Sequence, residues 1–119
     1  MKLYTASSFE NRMNLHPMRE RLTEMGHVVT SRWLDERPDI VAEEAAATDL
    51  EDIRSADALV LWPDTDNFGP GRFIEFGYAL ALGLDVYVIN APARGIFFKL
   101  PVVRHFENWD KFYLFMEEQ

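Results

Sequence analysis

One carboxylate in this sequence stands alone among apolar residues. Glu75 follows Phe73 and Ile74 and precedes Phe76, inside the stretch from Gly69 to Gly83 (GPGRFIEFGYALALG). Pro70 and Gly71 are helix-opening residues and Gly83 is a helix stop, so the stretch predicts one helix with Glu75 in its first turn. There the helix dipole favours the ionised carboxylate, while the apolar neighbours push its pKa up. An acid fixed on a helix in this way can serve as a nucleophile. The plainer alternative is a solvated first-turn acid that only complements the dipole. Other polar groups offer themselves nearby in the chain. Ser7, Ser8 and Arg12 fall where a first helix would begin, a natural anion site or simply caps and a surface charge. Gly69 and Gly71 allow the backbone to approach a ligand closely. Asp64 and Asp66 form an acidic pair whose spacing is a weak metal signal, and His16, His27 and His105 are too scattered to be ligands. No metal and no cofactor are expected.

The elements that must position these groups alternate. Lys2 to Ala6 reads as strand one, and Phe9 to Met25 as a helix that Pro17 kinks or divides. Gly26 stops that helix, and His27 to Thr30 is strand two. Ser31 to Pro38 reads as a loop, and Ile40 to Ser55 as a helix rich in Ala and acids. Ala58 to Trp62 is an apolar run suited to a strand buried on both faces, bounded by Asp57 and Pro63. The Glu75 helix follows, then Asp85 to Ile89 as strand four, the loop Asn90 to Gly95, a helical turn at Phe97 to Leu100, and Val102 to His105 as strand five. Asn108 opens a last helix, Asp110 to Glu118. Alternating strands and helices predict a single α/β domain over residues 1–119. It is a doubly wound, flavodoxin- or Rossmann-like parallel sheet of about five strands, with order 2-1-3-4-5 and right-handed crossovers. In that order the segments Tyr4 to Arg12, Trp62 to Glu75 and Asn90 to Gly95 should line one cleft at the carboxyl ends of the strands.

Composition bounds the partners. At 119 residues with 48% hydrophobic content the chain can build one core. A net charge of −8 argues against nucleic acid polymers, though a small anionic ligand held by local dipoles is compatible with it. The chain has no cysteine, which excludes disulfides, thiolate metal sites and Cys nucleophiles. Its start lacks the apolar core of a signal peptide, and no stretch has membrane-spanning length, so no membrane partner and a cytoplasmic location are expected. Nine Phe, four Tyr and three Trp point to bulky packing or a subunit interface.

LYTASSF, then SADALVLWPD, then GRFIEFGYALALG resemble the nucleoside 2-deoxyribosyltransferase superfamily, which includes the deoxynucleoside 5′-monophosphate N-glycosidases. The resemblance runs from Leu3 to about Phe106 and is strongest from Asp57 through Gly83. Members share a strand-one Tyr, an Asp at the start of strand three and a Gly-x-x-x-Glu-x-Gly-x-Ala helix. These fall here on Tyr4, Asp57 and Gly71, Glu75, Gly77 and Ala79. The resemblance implies that Glu75 attacks the anomeric carbon of a 2′-deoxynucleoside or its 5′-monophosphate. The covalent deoxyribosyl-enzyme is then resolved by another base in a transferase or by water in a hydrolase. Such a retaining route needs a carboxylate nucleophile and a proton donor for the leaving group. On this reading a Tyr4 hydroxyl bond aims Glu75 and opposes the upward pKa shift. Asp57 contacts the base and delivers or relays its proton, and Trp62 stacks on the base or covers it. Gly69 and Gly71 meet sugar or phosphate, with Ser7, Ser8 and Arg72 as further substrate contacts. Family sites also borrow residues from a neighbouring subunit, which implies a homodimer or larger homo-oligomer, with Asn108 as a candidate donor.

The structural alternatives are a core tyrosine at Tyr4, a loop acid at Asp57, a core or interface aromatic at Trp62, plain caps at Ser7 and Ser8, and surface charges at Arg12 and Arg72. The chain also departs from the family pattern. Where the monophosphate hydrolases place a Ser six positions before the Glu, it has Gly69, and Gly69-Pro70-Gly71-Arg72 lacks the hydroxyl of the usual transferase approach. A non-catalytic nucleotide sensor on the same fold is the main rival. A receiver-like domain fits less well, because Asp57 precedes strand three instead of ending it. The Gly-Gly-x-Gly-Thr-x-x-Glu of the phosphoribohydrolases is matched only loosely.

Overall fold

The computed structural model describes residues 1–35, 37–63, 70–91 and 95–119. Five parallel strands form one sheet: β1 (Lys2–Ala6), β2 (Val28–Val29), β3 (Ala58–Leu61), β4 (Asp85–Ile89) and β5 (Val103–Phe106), in the order β2-β1-β3-β4-β5. This is the order expected from the alternation of apolar runs and helical spacing. β3 is buried along its whole length and pairs with β1 on one side and β4 on the other. A run of Ala, Leu, Val and Leu with no polar residue suits that central place, since both of its faces are covered.

The helices are α1 (Arg12–Glu24), α2 (Ala42–Arg54), α3 (Gly71–Ala81) and α4 (Trp109–Met116). α1 and α4 share one face of the sheet: the Arg21 guanidinium lies 4.5 Å over the Tyr113 ring, and His27 Nε2 bonds the Met116 carbonyl at 2.9 Å. α2 and α3 share the other, where Arg54 Nη1 donates to the Tyr78 hydroxyl at 3.1 Å. Both glycine stops work as expected. Gly26 and Gly83 take positive φ, and Gly83 N–H bonds Leu80 O while Leu84 N–H bonds Ala79 O, the paired bonds that close a helix on a left-handed residue. Asn108 caps α4 by accepting from the Lys111 N–H at 2.9 Å. Pro17 lies inside α1 without dividing it; the helix is instead preceded by a separate 3₁₀ turn at Phe9–Asn11. The carbonyl that Pro17 leaves without a helical donor is that of Met13, an exposed residue, where water can take its place.

One difference from the expected layout bears on function. β2 is only two residues long, and the segment after it folds back over the carboxyl end of β1 as a 3₁₀ turn, Arg32–Leu34. Trp33 Nε1 donates to the Thr5 carbonyl at 2.8 Å, and the Thr5 N–H donates to Ser31 Oγ at 2.7 Å. Between β4 and β5 the expected helical turn is present as a 3₁₀ turn, Ile96–Lys99, with the Phe98 ring centroid 4.8 Å from that of Phe76. Among the described residues no helix is long and apolar enough to cross a membrane.

Candidate active site

α3 opens at Pro70 and Gly71 as the sequence implied, but Glu75 lies past its first turn. The N–H groups of Phe73 and Ile74 bond the Pro70 carbonyl, Gly71 is the first helical residue, and Glu75 is therefore the fifth, opening the second turn. The unpaired N–H groups of a helix entrance belong to its first four residues, so the dipole acts on Glu75 less than expected. Burial acts more. Glu75 is half-buried at the cleft floor, and its pKa is pushed up to about 7 by desolvation, against the lowering effect of a hydrogen bond from Tyr4 and with a further push from the charge of Asp49.

Tyr4 lies in the middle of β1, fully buried, and its hydroxyl donates to Glu75 Oε2. Desolvation first, and then the charges of Glu75 and Asp49, hold its pKa far above the usual phenol range, so Tyr4 stays a donor at any working pH. Strand β1 and helix α3 therefore meet side chain to side chain across residues 71 apart in sequence.

Glu75 opens on a cleft of about 400 Å³ lined by Tyr4, Ser7, Ser8, Phe9, Glu10, Trp33, Arg37, Asp49, Gly71, Arg72 and Glu75. Ser7 Oγ donates to the Trp62 carbonyl at 2.8 Å, and Ser8 Oγ accepts from Asn11 Nδ2 at 3.3 Å. Gly71 leaves open space where a Cβ would stand, which keeps the mouth of the cleft clear beside the start of α3. Arg72 is buried, its guanidinium 5.4 Å from the Phe73 ring centroid. Six of the nine residues singled out as site candidates thus meet here: Tyr4, Ser7, Ser8, Gly71, Arg72 and Glu75. Gly69 lies outside the described residues, as do Asp64 and Asp66.

Two candidates go elsewhere. Asp57 is exposed and accepts from the Lys2 N–H at 2.8 Å. Both residues precede the bulk of their parallel strands, so this bond sits at the amino edge of the sheet. The cleft opens toward the carboxyl edge, and Asp57 is not among the residues that line it. Asp57 is a strand-opening acid, and the expected contact with a base is corrected accordingly. Trp62 packs edge-on to Trp109 with ring centroids 5.5 Å apart and does not line the cleft. Of the segment from Asn90 to Gly95, expected to line the cleft, Asn90 and Ala91 border a separate hollow with His105, Gly95 borders an apolar groove on α3, and residues 92–94 lie outside the described residues. Arg12, an anion-site candidate, instead lies 4.4 Å over the Phe9 ring.

What replaces them comes from the segment after β2 and from α2. Asp49 lies one helical turn before buried Ile53, on the stripe of α2 that faces inward. Its pKa is raised, chiefly by desolvation, with the Arg37 guanidinium opposing; Arg37 Nη1 approaches Asp49 Oδ1 to 3.5 Å. The cleft thus holds two carboxyl groups, Glu75 and Asp49, both with pKa raised chiefly by desolvation. The sequence carried one signal for Asp49, an acid on the apolar side of a helix, among many acids of α2 that face solvent. The three histidines each bond a main-chain carbonyl, of Leu34, Met116 and Phe98, and are structural.

No family model matches the sequence, and no curated protein matches it. Solved structures do. The CMP N-glycosidase BcmB of Clostridium botulinum matches over 100% of both chains at 15% identity and a TM-score of 0.71. A 2-deoxyribosyltransferase from the psychrotolerant bacterium Bacillus psychrosaccharolyticus matches over 95% of this chain and 90% of its own at 25% identity, also with a TM-score of 0.71. The first likeness is one of fold; the second extends to a quarter of the aligned residues.

Proposed function

The chain has the fold of the nucleoside 2-deoxyribosyltransferase superfamily from end to end, and from that premise we propose that it breaks or transfers the N-glycosidic bond of a 2′-deoxynucleoside or its 5′-monophosphate. One observation carries the reading: the Glu75 carboxyl, set into the floor of a nucleoside-sized cleft and held by the Tyr4 hydroxyl. The likeness to a glycosidase and to a transferase supports the reaction class.

The reaction follows from the two acids. Glu75, ionised, attacks C1′ of the sugar, and a C1′–O bond forms as the C1′–N bond breaks. The electron pair of that bond goes to the base nitrogen system, which takes a proton from the Asp49 carboxyl. In the second half Asp49, now ionised, takes a proton from water or from an incoming base, whose oxygen or nitrogen attacks C1′ and releases Glu75. The reacting form has Glu75 charged and Asp49 neutral. The raised pKa of Asp49 favours that form, while a Glu75 pKa of about 7 leaves about one half of the nucleophile ionised at neutral pH. Tyr4 keeps Glu75 aimed and partly charged. Ser7, Ser8, Gly71 and Arg72 lie on the sugar side of the cleft and are assigned to the sugar or its 5′-phosphate.

The assembly belongs to the proposal as well. α3 and the turn before β5 expose Phe73 and Phe97 on an apolar groove, with Ile74 and Ile96 also exposed on the same two elements, and a homodimer is expected to cover that face. Light scattering at micromolar concentration tests this, and a monomer contradicts it.

Incubating the protein with each 2′-deoxynucleoside and 5′-monophosphate, with and without a second base, and separating the products by chromatography tests the reading. Released base without acceptor marks a hydrolase, and a new nucleoside with acceptor marks a transferase. Folded protein that releases no base from any of them refutes the enzyme and leaves a nucleotide sensor.

A further inference from the structure

Arg37 has no part in the scheme above, yet it faces the cleft beside the acid that serves the leaving base. With the sugar fixed by Glu75, the base must extend along the cleft, and Asp49, as its proton donor, marks the end where it lies. The wall there is aromatic. Phe9 and Trp33 stand 6.5 Å apart at 43°, too close and too tilted to sandwich a base between them, so they form one surface on which a base can rest. Trp33 is buried and fixed through its indole N–H, which makes that surface rigid.

The Arg37–Asp49 contact differs from two other arginine–carboxylate pairs among the described residues. Arg19 grips Asp35 through two bonds of 3.0 and 2.9 Å, and Arg32 Nε holds Asp52 Oδ1 at 2.8 Å. Arg37 reaches Asp49 only at 3.5 Å, the outer limit of a hydrogen bond, and this is its one side-chain bond among the described residues. Both side chains are largely buried, with 18% and 26% of their surface exposed. A guanidinium has five N–H donors and no acceptor. When a substrate displaces water from the cleft, those donors need an acceptor supplied by the base. The phosphate of a 5′-monophosphate is assigned to Ser7, Ser8 and Arg72 on the sugar side, so the acceptor beside Asp49 belongs to the base. A neutral ring carbonyl fits.

Resting on the nucleoside reading, we propose that Arg37 reads an exocyclic carbonyl of the base, so that the site takes oxo-bearing bases (cytosine, thymine, uracil, guanine and hypoxanthine) in preference to adenine. Adenine presents an amino group where guanine and hypoxanthine present a carbonyl, and it sets an N–H donor against the guanidinium donors. A site built to bond a polar group rejects an analogue that lacks it, because its own buried groups go unpaired. In this open cleft the preference is set at about ten- to a hundredfold, well below the limit for a closed site.

The test compares kcat/KM for deoxycytidine, deoxyguanosine, deoxyinosine and deoxyadenosine in the wild type and in Arg37→Gln. The wild type is expected to favour the three oxo substrates. Arg37→Gln is expected to lose roughly tenfold or more on those three while deoxyadenosine changes by less than about threefold. Arg37→Lys, which keeps a charged donor without the fork, should fall between and guards against misfolding of the first variant. Equal handling of adenine and oxo bases by the wild type, or a uniform loss across all four in Arg37→Gln, overturns the proposal. Calorimetric binding of the same four nucleosides to Glu75→Ala separates this from the reaction itself. Preferential binding of oxo nucleosides that depends on Arg37 sustains the proposal even if the wild type releases no base, and equal or absent binding refutes it.

Discussion

Replacing Tyr4 with Phe removes one oxygen and isolates how the cleft sets the charge of Glu75. Burial raises the Glu75 pKa to about 7, and the Tyr4 hydroxyl bond is the influence that opposes it. Tyr4 donates to the charged form, so its loss must push the pKa further up. A hydrogen bond to a charged group contributes about 1.5–3 kcal/mol, and 1.36 kcal/mol is one pKa unit, so the shift is about 1–2 units upward. At pH 7 the ionised fraction of Glu75 then falls from about one half to between roughly 10% and 1%. Any rate that requires the carboxylate falls about five- to fiftyfold from this cause alone. Carbon-13 NMR of side-chain-labelled Glu in the free protein reads the pKa directly, before any substrate is involved. A Glu75 pKa that stays near 7 or drops in Tyr4→Phe refutes the reasoning, and a melting temperature close to wild type shows that the core around the substituted ring survived.

Glu75 should also be a stability liability. Its pKa rises from 4.5 in the unfolded chain to about 7 in the fold, so between these values the folded state binds more protons and stability falls as pH rises. The penalty is absent below pH 4.5, grows through that window and is complete above pH 7, where it reaches about 3 kcal/mol. Glu75→Gln should therefore melt higher than wild type at pH 8 by several degrees and gain little at pH 4, as differential scanning calorimetry will show; no gain at pH 8 contradicts the burial argument. The two acids that compete for the proton-donor role separate cleanly. Asp49→Asn should lower base release by about 10²–10⁴-fold, the usual worth of a general acid, while Asp57→Asn at the far edge should stay within about threefold of wild type. A large loss in Asp57→Asn with Asp49→Asn active would reverse the assignment.

Strand order and the position of α3 were legible because they rest on local signals: an apolar run with no polar residue at β3, and glycines that take left-handed conformations at the ends of α1 and α3. The Tyr4–Glu75 contact was legible only through the resemblance, since nothing local links residues in different elements. The misplacements have physical causes. Asp57 adjoins β3 in sequence, but the strand runs away from it, which puts it at the edge opposite the cleft. Glu75 reads as a first-turn residue from its closeness to Pro70 and Gly71, but with Gly71 as the first helical residue it is the fifth and opens the second turn. Trp33 and Arg37 read as an ordinary loop. They reach the cleft because β2 stops after two residues and the chain turns back across β1, a tertiary event held by Trp33 and Ser31 bonding the main chain of Thr5. Trp62 follows a strand end that does border the cleft, but the aromatic cluster of α4 draws it the other way through Trp109.

The account depends most on a bond between Glu75 and the sugar. Mixing the protein with a 2′-deoxynucleoside that it consumes, quenching with acid within the first turnover and sequencing the digested peptides by mass spectrometry looks for that bond. The account predicts a single 2-deoxyribosyl group on Glu75, absent from the Glu75→Ala protein. Turnover with the sugar attached to another residue, or base release by Glu75→Ala at the wild-type rate, contradicts it.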